Sequence, residues 1–500
     1  MSGPDLIESA FSRVFLIEDG AGPSHAYTYQ GLWKAGTPSF DQGDSTLVYI
    51  PDPDNYGRFK VNSKIPGEPG NPELPVMARY GLDLSTLLRL AKGGCDHDVQ
   101  VHFGKCRDPR DFNGGWDKVL IVEKARISTW GTDTDLGALG PDERAQVNED
   151  ATFTGEDMYE VKRMSYATKA GTTVVQEVVD IVICDSATCG SCGLPSDGCK
   201  VILAICLATG ASPGASPVVI YSDDGGLTWT SDWIDSLSNT EDPDAAACVG
   251  TNFVVVSNDA CSLHWAPLAD VINDIADFAE VTTGFVCPAG APNAIKSIGP
   301  TFTWIVGNGG YIYFTDDPTS GVTVQDAGVA TAQNLNAIDG VSELYLVAVG
   351  ALNAVVYTTN GGATWASITG PAAGVALNAI HMVDEDTWWI GTASGRLYYT
   401  NNAGVTWTEK TFPGSGAGSI NDIEFSTPSV GYLVHNTAAL VGRILRTING
   451  GFSWYVAPEG TGTIPTNQGL NAVAVCPDPN KVYAGGVTVV AGDGIIIAGA

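Results

Sequence analysis

One phrase of eight residues recurs four times in the C-terminal two-thirds of the chain, and it restricts the fold more than any other feature. It reads SDDGGLTW, TTNGGATW, TNNAGVTW and TINGGFSW. The shared positions are Ser222, Asp224, Gly226, Thr228 and Trp229 in the first copy, and Thr358, Asn360, Gly362, Thr364 and Trp365 in the second. They are Thr400, Asn402, Gly404, Thr406 and Trp407 in the third, and Thr447, Asn449, Gly451, Ser453 and Trp454 in the fourth. The Asp or Asn side chain accepts hydrogen bonds from turn amides. The Gly supplies a positive φ. The Trp opens the next strand and buries a large apolar face. The phrase therefore predicts a hairpin turn, a folding element in which no residue is asked to do chemistry.

A second phrase sets the period. Asn-Ala-Ile at Asn293 returns at Asn336 and Asn378, as Asn-Asp-Ile at Asn421 and as Asn-Ala-Val at Asn471, with spacings of 43, 42, 43 and 50 residues. Such a period with four strand-like runs per repeat marks the blades of a β-propeller. In the clearest repeat the runs are 379–383, 387–391, 397–400 and 405–408. Inner strands are expected near Asp180, Asp244, Asn293, Asn336, Asn378, Asn421 and Asn471, which makes seven blades. Degraded copies of the hairpin phrase are expected at 257–265 in the second blade and 315–324 in the third. The last repeat has only three runs, at 472–476, 482–486 and 494–497. The unassigned stretch 172–178 (TTVVQEV) is expected to add its fourth strand and remove the open edge.

The eight-residue phrase resembles the Asp-box of sialidase-type and related β-propellers. That resemblance implies a structural role, remote from any active site. Sialidase-type enzymes also share three arginines that bind the substrate carboxylate, a Tyr–Glu nucleophile pair and an Asp acid/base. Here the propeller holds only Arg396, Arg443 and Arg446. Arg443 and Arg446, three apart on one strand, point to opposite faces. The expectation is no enzyme and no cofactor. Photosystem assembly-factor propellers carry the same boxes, but they lack a preceding β domain and normally have an export signal.

The formal net charge is −31. From Thr172 to Ala500 there are 7 Lys and Arg against 30 Asp and Glu, a net −23. Affinity for phosphates comes from Lys and Arg, so this region is a poor nucleic-acid binder. No apolar run is long enough to span a bilayer. The first residues, MSGPDLIESAFSRV, have no basic segment followed by an apolar one. Folding in a cytoplasm, with exit by a route such as lysis, is the expectation.

Eleven cysteines cannot all pair within the chain. Cys184, Cys189, Cys192 and Cys199 cluster in the first repeat. Their spacing admits a four-thiolate zinc site or disulfides closing a long loop in a particle that ends outside the cell. Cys95, His97, His102 and Cys106 form a second set, with the two histidines on opposite faces if 99–103 is a strand.

The first 167 residues have a different texture. Strands are expected at 13–18, 27–32, 46–50, 59–64, 98–103, 119–128, 146–154 and 159–164, with one short helix at 84–92 (LSTLLRLAK) ended by Gly93 and Gly94. The fold class is thus all-β: a sandwich or barrel with one short helix (1–167), a linker and closing strand (168–178), and a seven-bladed propeller (179–500). The order of elements, with VYIPDPDNYGRFK, KVLIVEKARIS and LGALGPDERAQVNEDATFTGEDMYEV, resembles the tail tube (major tail) proteins of long-tailed viruses. The likeness spans residues 11–166 and rests on layout.

It implies hexameric rings whose sheets join into one barrel, stacked into a tube through which viral DNA passes. Loops such as 36–43 and 65–75 would make the stacking contacts. It also implies tape-measure and tail-terminator or baseplate proteins as partners, no membrane, and a location in the virion tail after synthesis in the host cytoplasm. The propeller would decorate the tail, with host-surface glycan as a candidate ligand and Trp388, Trp389, Tyr398 and Tyr399 as a candidate sugar platform. A decoration protein or adhesin that binds carbohydrate is the alternative, and a sialidase-like glycosidase a further one.

Overall fold

A computed structural model describes residues 12–18, 28–35, 46–51, 59–65, 73–79, 97–103, 118–134, 147–155, 157–162, 166–168, 177–184, 201–207, 217–238, 240–273, 277–439, 441–456, 468–488 and 494–499. The chain divides into two compact units, Met1–Arg163 and Met164–Ala500.

The first unit has nine described strands: β1 (Ser12–Glu18), β2 (Thr28–Ala35), β3 (Thr46–Pro51), β4 (Phe59–Ile65), β5 (Glu73–Arg79), β6 (His97–Phe103), β7 (Lys118–Thr134), β8 (Val147–Thr154) and β9 (Asp157–Lys162). Seven pair in the order β6-β1-β2-β5-β8-β7-β9, and β6 also pairs with β7, so six of them close a ring. The long β7 makes this closure. Its first half pairs with β6 and β9, and its second half with β8. Lys124, at φ 47°, lies where the strand changes partners. β3 and β4 form a separate hairpin. The expected helix at 84–92 lies outside the described residues.

β5 is a correction, because its first residues, 73–75, fall in the segment 65–75 expected as a loop. Pro75 faces Thr152 of β8, while β2 pairs β5 only at Val76 and Met77. The missing N–H therefore falls where, among the described residues, the strand has one neighbour, the place a sheet tolerates proline.

The second unit is a ring of seven four-stranded antiparallel sheets. Their inner strands are Val178–Cys184, Ala245–Val249, Pro292–Ile298, Leu335–Gly340, Leu377–Met382, Ser419–Phe425 and Gln468–Val475. Each inner strand neighbours the next, and the last neighbours the first. The apolar clusters lie between blades, not within them. One joins the first and second blades around Leu203 and Phe253, and another joins the seventh and first around Ile202 and Tyr483. Both faces of each blade are therefore covered, and the second strands Val201–Cys206 and Gly431–Asn436 are buried at every position.

The same geometry corrects the candidate sugar platform. Trp388 packs toward the fourth blade and Trp389 toward the sixth, while Tyr398 and Tyr399 are also buried. No member of the two aromatic pairs remains on the surface.

The four hairpin phrases form the turns before the outer strands. In the first, Asp224 Oδ1 accepts the amides of Leu227 and Thr228 at 2.9 Å, and Ser222 Oγ accepts the Gly226 amide at 2.8 Å. Asn360, Asn402 and Asn449 repeat this with Thr364, Thr406 and Ser453. Each glycine also lies against the preceding blade. Gly451 has φ 79°, and an added Cβ would come within 2.0 Å of the Trp389 ring. The third blade keeps a reduced turn in which Asp317 accepts the Thr319 amide. In the second blade the segment 257–265 connects the second and third strands, so it is not the expected degraded copy. There the connection to the outer strand begins with a single-turn helix, α1 (Leu268–Val271).

The ring is closed by a different segment from the one expected. The fourth strand of the last blade is β10 (Tyr166–Thr168), paired with Gly494–Gly499 through Ala167 and Ala498. Val178 is the first residue of the first inner strand, and 172–176 lie outside the described residues. The first hairpin phrase adds a second closure: Tyr483 of the last blade donates to the Gly225 carbonyl at 2.8 Å.

Two predictions follow from this packing. Gly451→Ala should destabilise the protein by about 1–3 kcal/mol, since it adds a strained positive φ to a clash with a rigid ring. Thermal unfolding that matches the parent would contradict the assigned turn. Ala167→Pro should speed amide exchange in Gly494–Gly499 more than in the middle blades, which mass spectrometry after deuterium exchange can measure.

Candidate functional site

An inner strand pairs with its own blade on one side and turns its other edge to the propeller axis. Unpaired backbone groups on that edge need partners. The Asn of the second repeated phrase supplies them. In five blades it sits at a register shift in the inner strand, where pairing skips Asn293, Asn336, Asn378, Asn421 and Asn471. Such a bulge re-aims the side chain. Each Asn then donates to a main-chain carbonyl of the next blade: Asn293 to Leu335 at 2.8 Å, Asn336 to Leu377 at 3.0 Å, Asn378 to Ile420 at 3.3 Å and Asn421 to Leu470 at 2.8 Å. Asn471 carries the chain of contacts back to Val178 of the first blade, at 2.9 Å.

Carboxylates do the complementary task by accepting amides of the next blade. Asp180 accepts Ala246, Asp339 accepts Met382, Asp422 accepts Val473 and Glu424 accepts Val475, at 2.8–2.9 Å. These side chains, with Lys296 and His381, line an axial cavity of about 630 Å³ to which all seven inner strands contribute. Lys296, Asp339, His381 and Glu424 occupy one position, the third residue after the phrase's Asn. That shared place in the repeat is the sequence signal for the cluster; by itself it does not say that the position faces the axis.

The charges in the cavity are unequal. Lys296 Nζ lies 2.5 Å from Asp339 Oδ1, and His381 Nδ1 lies 3.5 Å from Asp339 Oδ2. Burial acts to raise the Asp339 pKa, but Lys296 and His381 outweigh it and hold the carboxyl below its usual range. Asp339 in turn raises Lys296. Burial pushes His381 down to about 4, against the pull of Asp339. On the other side of the cavity burial dominates. It pushes Asp180 up to about 7, Asp422 to about 6 and Glu424 to about 8, with the Asp422 charge adding to the rise at Asp180 and Glu424 and Asp339 adding to that at Asp422. The channel thus holds one neutralised pair and three carboxyls that resist ionisation. Such a lining suits a cationic or hydrogen-bond-donating guest.

The arginines lie elsewhere. Arg396 pairs with Glu409 at 2.9 Å, Arg443 donates to the Pro413 carbonyl, and Arg446 is buried and donates to the Pro479 carbonyl. None of them lines the axial cavity. Cys184 forms a disulfide with Cys248, which ties the first inner strand to the second, and Cys261 pairs with Cys287. Cys189, Cys192 and Cys199 lie outside the described residues, as do Cys95 and Cys106. His102 is buried in β6 with Nε2 3.3 Å from Gln100 Oε1. Among the described residues no group of three or more His, Cys, Asp or Glu is arranged to hold a metal ion.

The raised carboxyls predict a pH dependence. A carboxyl with a folded pKa above its unfolded value stabilises the fold when protonated, and that stability is lost as pH rises through the folded value. Between pH 6.5 and 9 the full-length protein should lose stability as Asp180 and Glu424 ionise. Glu424→Gln keeps an acceptor for Val475 and removes one of these charges. It should reduce the loss by on the order of 1 kcal/mol, measured as unfolding temperature against pH. Parallel pH profiles for the two proteins would contradict the assignment.

No protein-family model matches the sequence, and a search of curated proteins finds no match. Solved structures do resemble it. YCF48 bound to D1 peptide is 13% identical, with a TM-score of 0.50 over 68% of this chain and 95% of that one. YCF48 from Cyanidioschyzon merolae is 14% identical, with a TM-score of 0.47 over 67% and 98%. At 13% identity the likeness to the first of these is one of fold, and the fold is the β-propeller.

Proposed function

We propose that this chain is a structural protein of a virus tail: its N-terminal unit builds the tube as stacked hexameric rings, and its propeller decorates the outside. The observation that carries the reading is the N-terminal unit itself, a closed antiparallel ring of strands with a separate β3–β4 hairpin, set before a propeller that completes its own ring. A hairpin outside the ring is suited to reach a neighbouring copy. β9 pairs only with β7 among the described strands, which leaves an edge for a sheet between subunits. In this reading the chain is not an enzyme. The genome passes through the lumen without tight binding, and tape-measure, terminator and baseplate proteins are the tail partners.

A second reading takes the propeller as a binding module, such as a decoration protein or adhesin. It is favoured by the axial cavity and by a fold neighbour that is described as bound to a peptide. The burial of Trp388, Trp389, Tyr398 and Tyr399 counts against those four as a carbohydrate platform. The absence of the three arginines from the cavity counts against a sialidase-like glycosidase.

Negative-stain microscopy of the purified full-length protein separates the two readings. Stacked six-fold rings with peripheral density are expected. Single, non-ring particles at all concentrations, and in the intact virion, would overturn the tube and leave the binding module.

A further inference from the structure

We propose that the crevice between the fourth and fifth blades receives the side chain of an arginine presented by a partner protein. The crevice has a volume of about 240 Å³ and is distinct from the axial cavity. Tyr345 and Tyr357, both half-buried, supply aromatic surface above the buried Trp388, and Glu385 and Asp386 supply carboxylates. The Tyr357 and Trp388 rings are 6.4 Å apart and tilted by 43°. This combination of ring faces and negative charge is how proteins hold organic cations.

The fold explains why the crevice exists. Two turns between inner and second strands, 341–345 and 383–387, bound it on adjacent blades. The indole N–H of the buried Trp388 donates to the Glu385 carbonyl at 2.9 Å, which holds the turn over the crevice floor. Asp384 is committed to the amides of Asp386 and Thr387 at 2.8 and 2.7 Å, which fixes the turn. The Glu385 and Asp386 side chains are exposed, and among the described residues neither has an ion-pair partner. Among the described residues no Lys or Arg lines the crevice.

Arginine fits better than lysine. Its planar guanidinium is weakly hydrated, stacks on aromatic faces and meets carboxylates two bonds at a time, whereas an ammonium is a compact and strongly hydrated point charge. The volume corresponds to about eight water molecules at about 30 Å³ each, room for a guanidinium with its aliphatic stem. The propeller's acidic balance, 7 Lys and Arg against 30 Asp and Glu, draws such a partner toward this surface. This inference does not depend on the tail reading.

The test uses the full-length protein and capped Gly-Arg-Gly peptide, followed by calorimetric titration or ligand-observed NMR. Saturable one-to-one binding is expected, weakened about tenfold when citrulline replaces arginine, since the charge is lost and the shape kept. The double variant Glu385→Lys with Asp386→Lys, both exposed, should melt like the parent and bind about tenfold more weakly. Tyr357→Leu should weaken binding without changing its salt dependence. Absence of saturable binding, equal binding of the citrulline peptide, or an unchanged affinity in the double variant would each overturn the proposal. Equal binding of the lysine peptide would overturn its assignment to arginine.

Discussion

The open edge of the inner strand is the constraint on which the propeller depends. A four-stranded blade leaves its innermost backbone groups facing the axis, and unpaired buried groups cost about as much as lost hydrogen bonds. Here each blade supplies what the next one lacks. Asn side chains donate to the next blade's carbonyls, and Asp or Glu side chains accept its amides. All of these contacts run in one direction around the ring, so the last set must find the first blade. Asn471 does so through Val178 and the Glu177 carboxylate.

This solution places charge in the middle of the molecule. Asp180, Asp422 and Glu424 hold inter-blade contacts, yet burial raises all three pKa values, and the Asp422 charge raises those of Asp180 and Glu424 further. Lys296 pairs directly with Asp339 and offsets only part of the rise at Asp422 and Glu424. The axial cavity is therefore a structural device with an electrostatic by-product. Whatever guest the cavity takes must suit carboxyls whose first task is to join blades.

The outer rim is organised by a separate device. The Asp-box turns satisfy their own amides internally, which frees the glycine and tryptophan to pack on the preceding blade. Gly226 against Tyr483 extends this packing across the junction of last and first blades. There it is joined by β10, which tethers the final strand to the segment that enters the propeller. The Cys184–Cys248 disulfide ties the first inner strand to the second, on the other side of the first blade. Disulfides persist in oxidising surroundings.

The sequence by itself determined the repeat: the number of blades, the start of each inner strand, the four Asp-box turns and the strand character of the N-terminal unit. These are local matters, because a turn that needs Asp, Gly and Trp at fixed offsets leaves those residues in order, and a period survives in spacing. Tertiary structure decided what depends on neighbours distant in the chain. The Asn of the second phrase is visible as a marker of period, but its bond to the next blade exists only when blades stand side by side. Lys296, Asp339, His381 and Glu424 share a repeat position whose convergence only a closed ring creates. The three residues of β10 are too short for alternation to identify them, and they become a strand because Gly494–Gly499 offers an open edge. Trp388 and Trp389 read as part of a surface platform, yet both are buried, because a blade in a ring has no outward face.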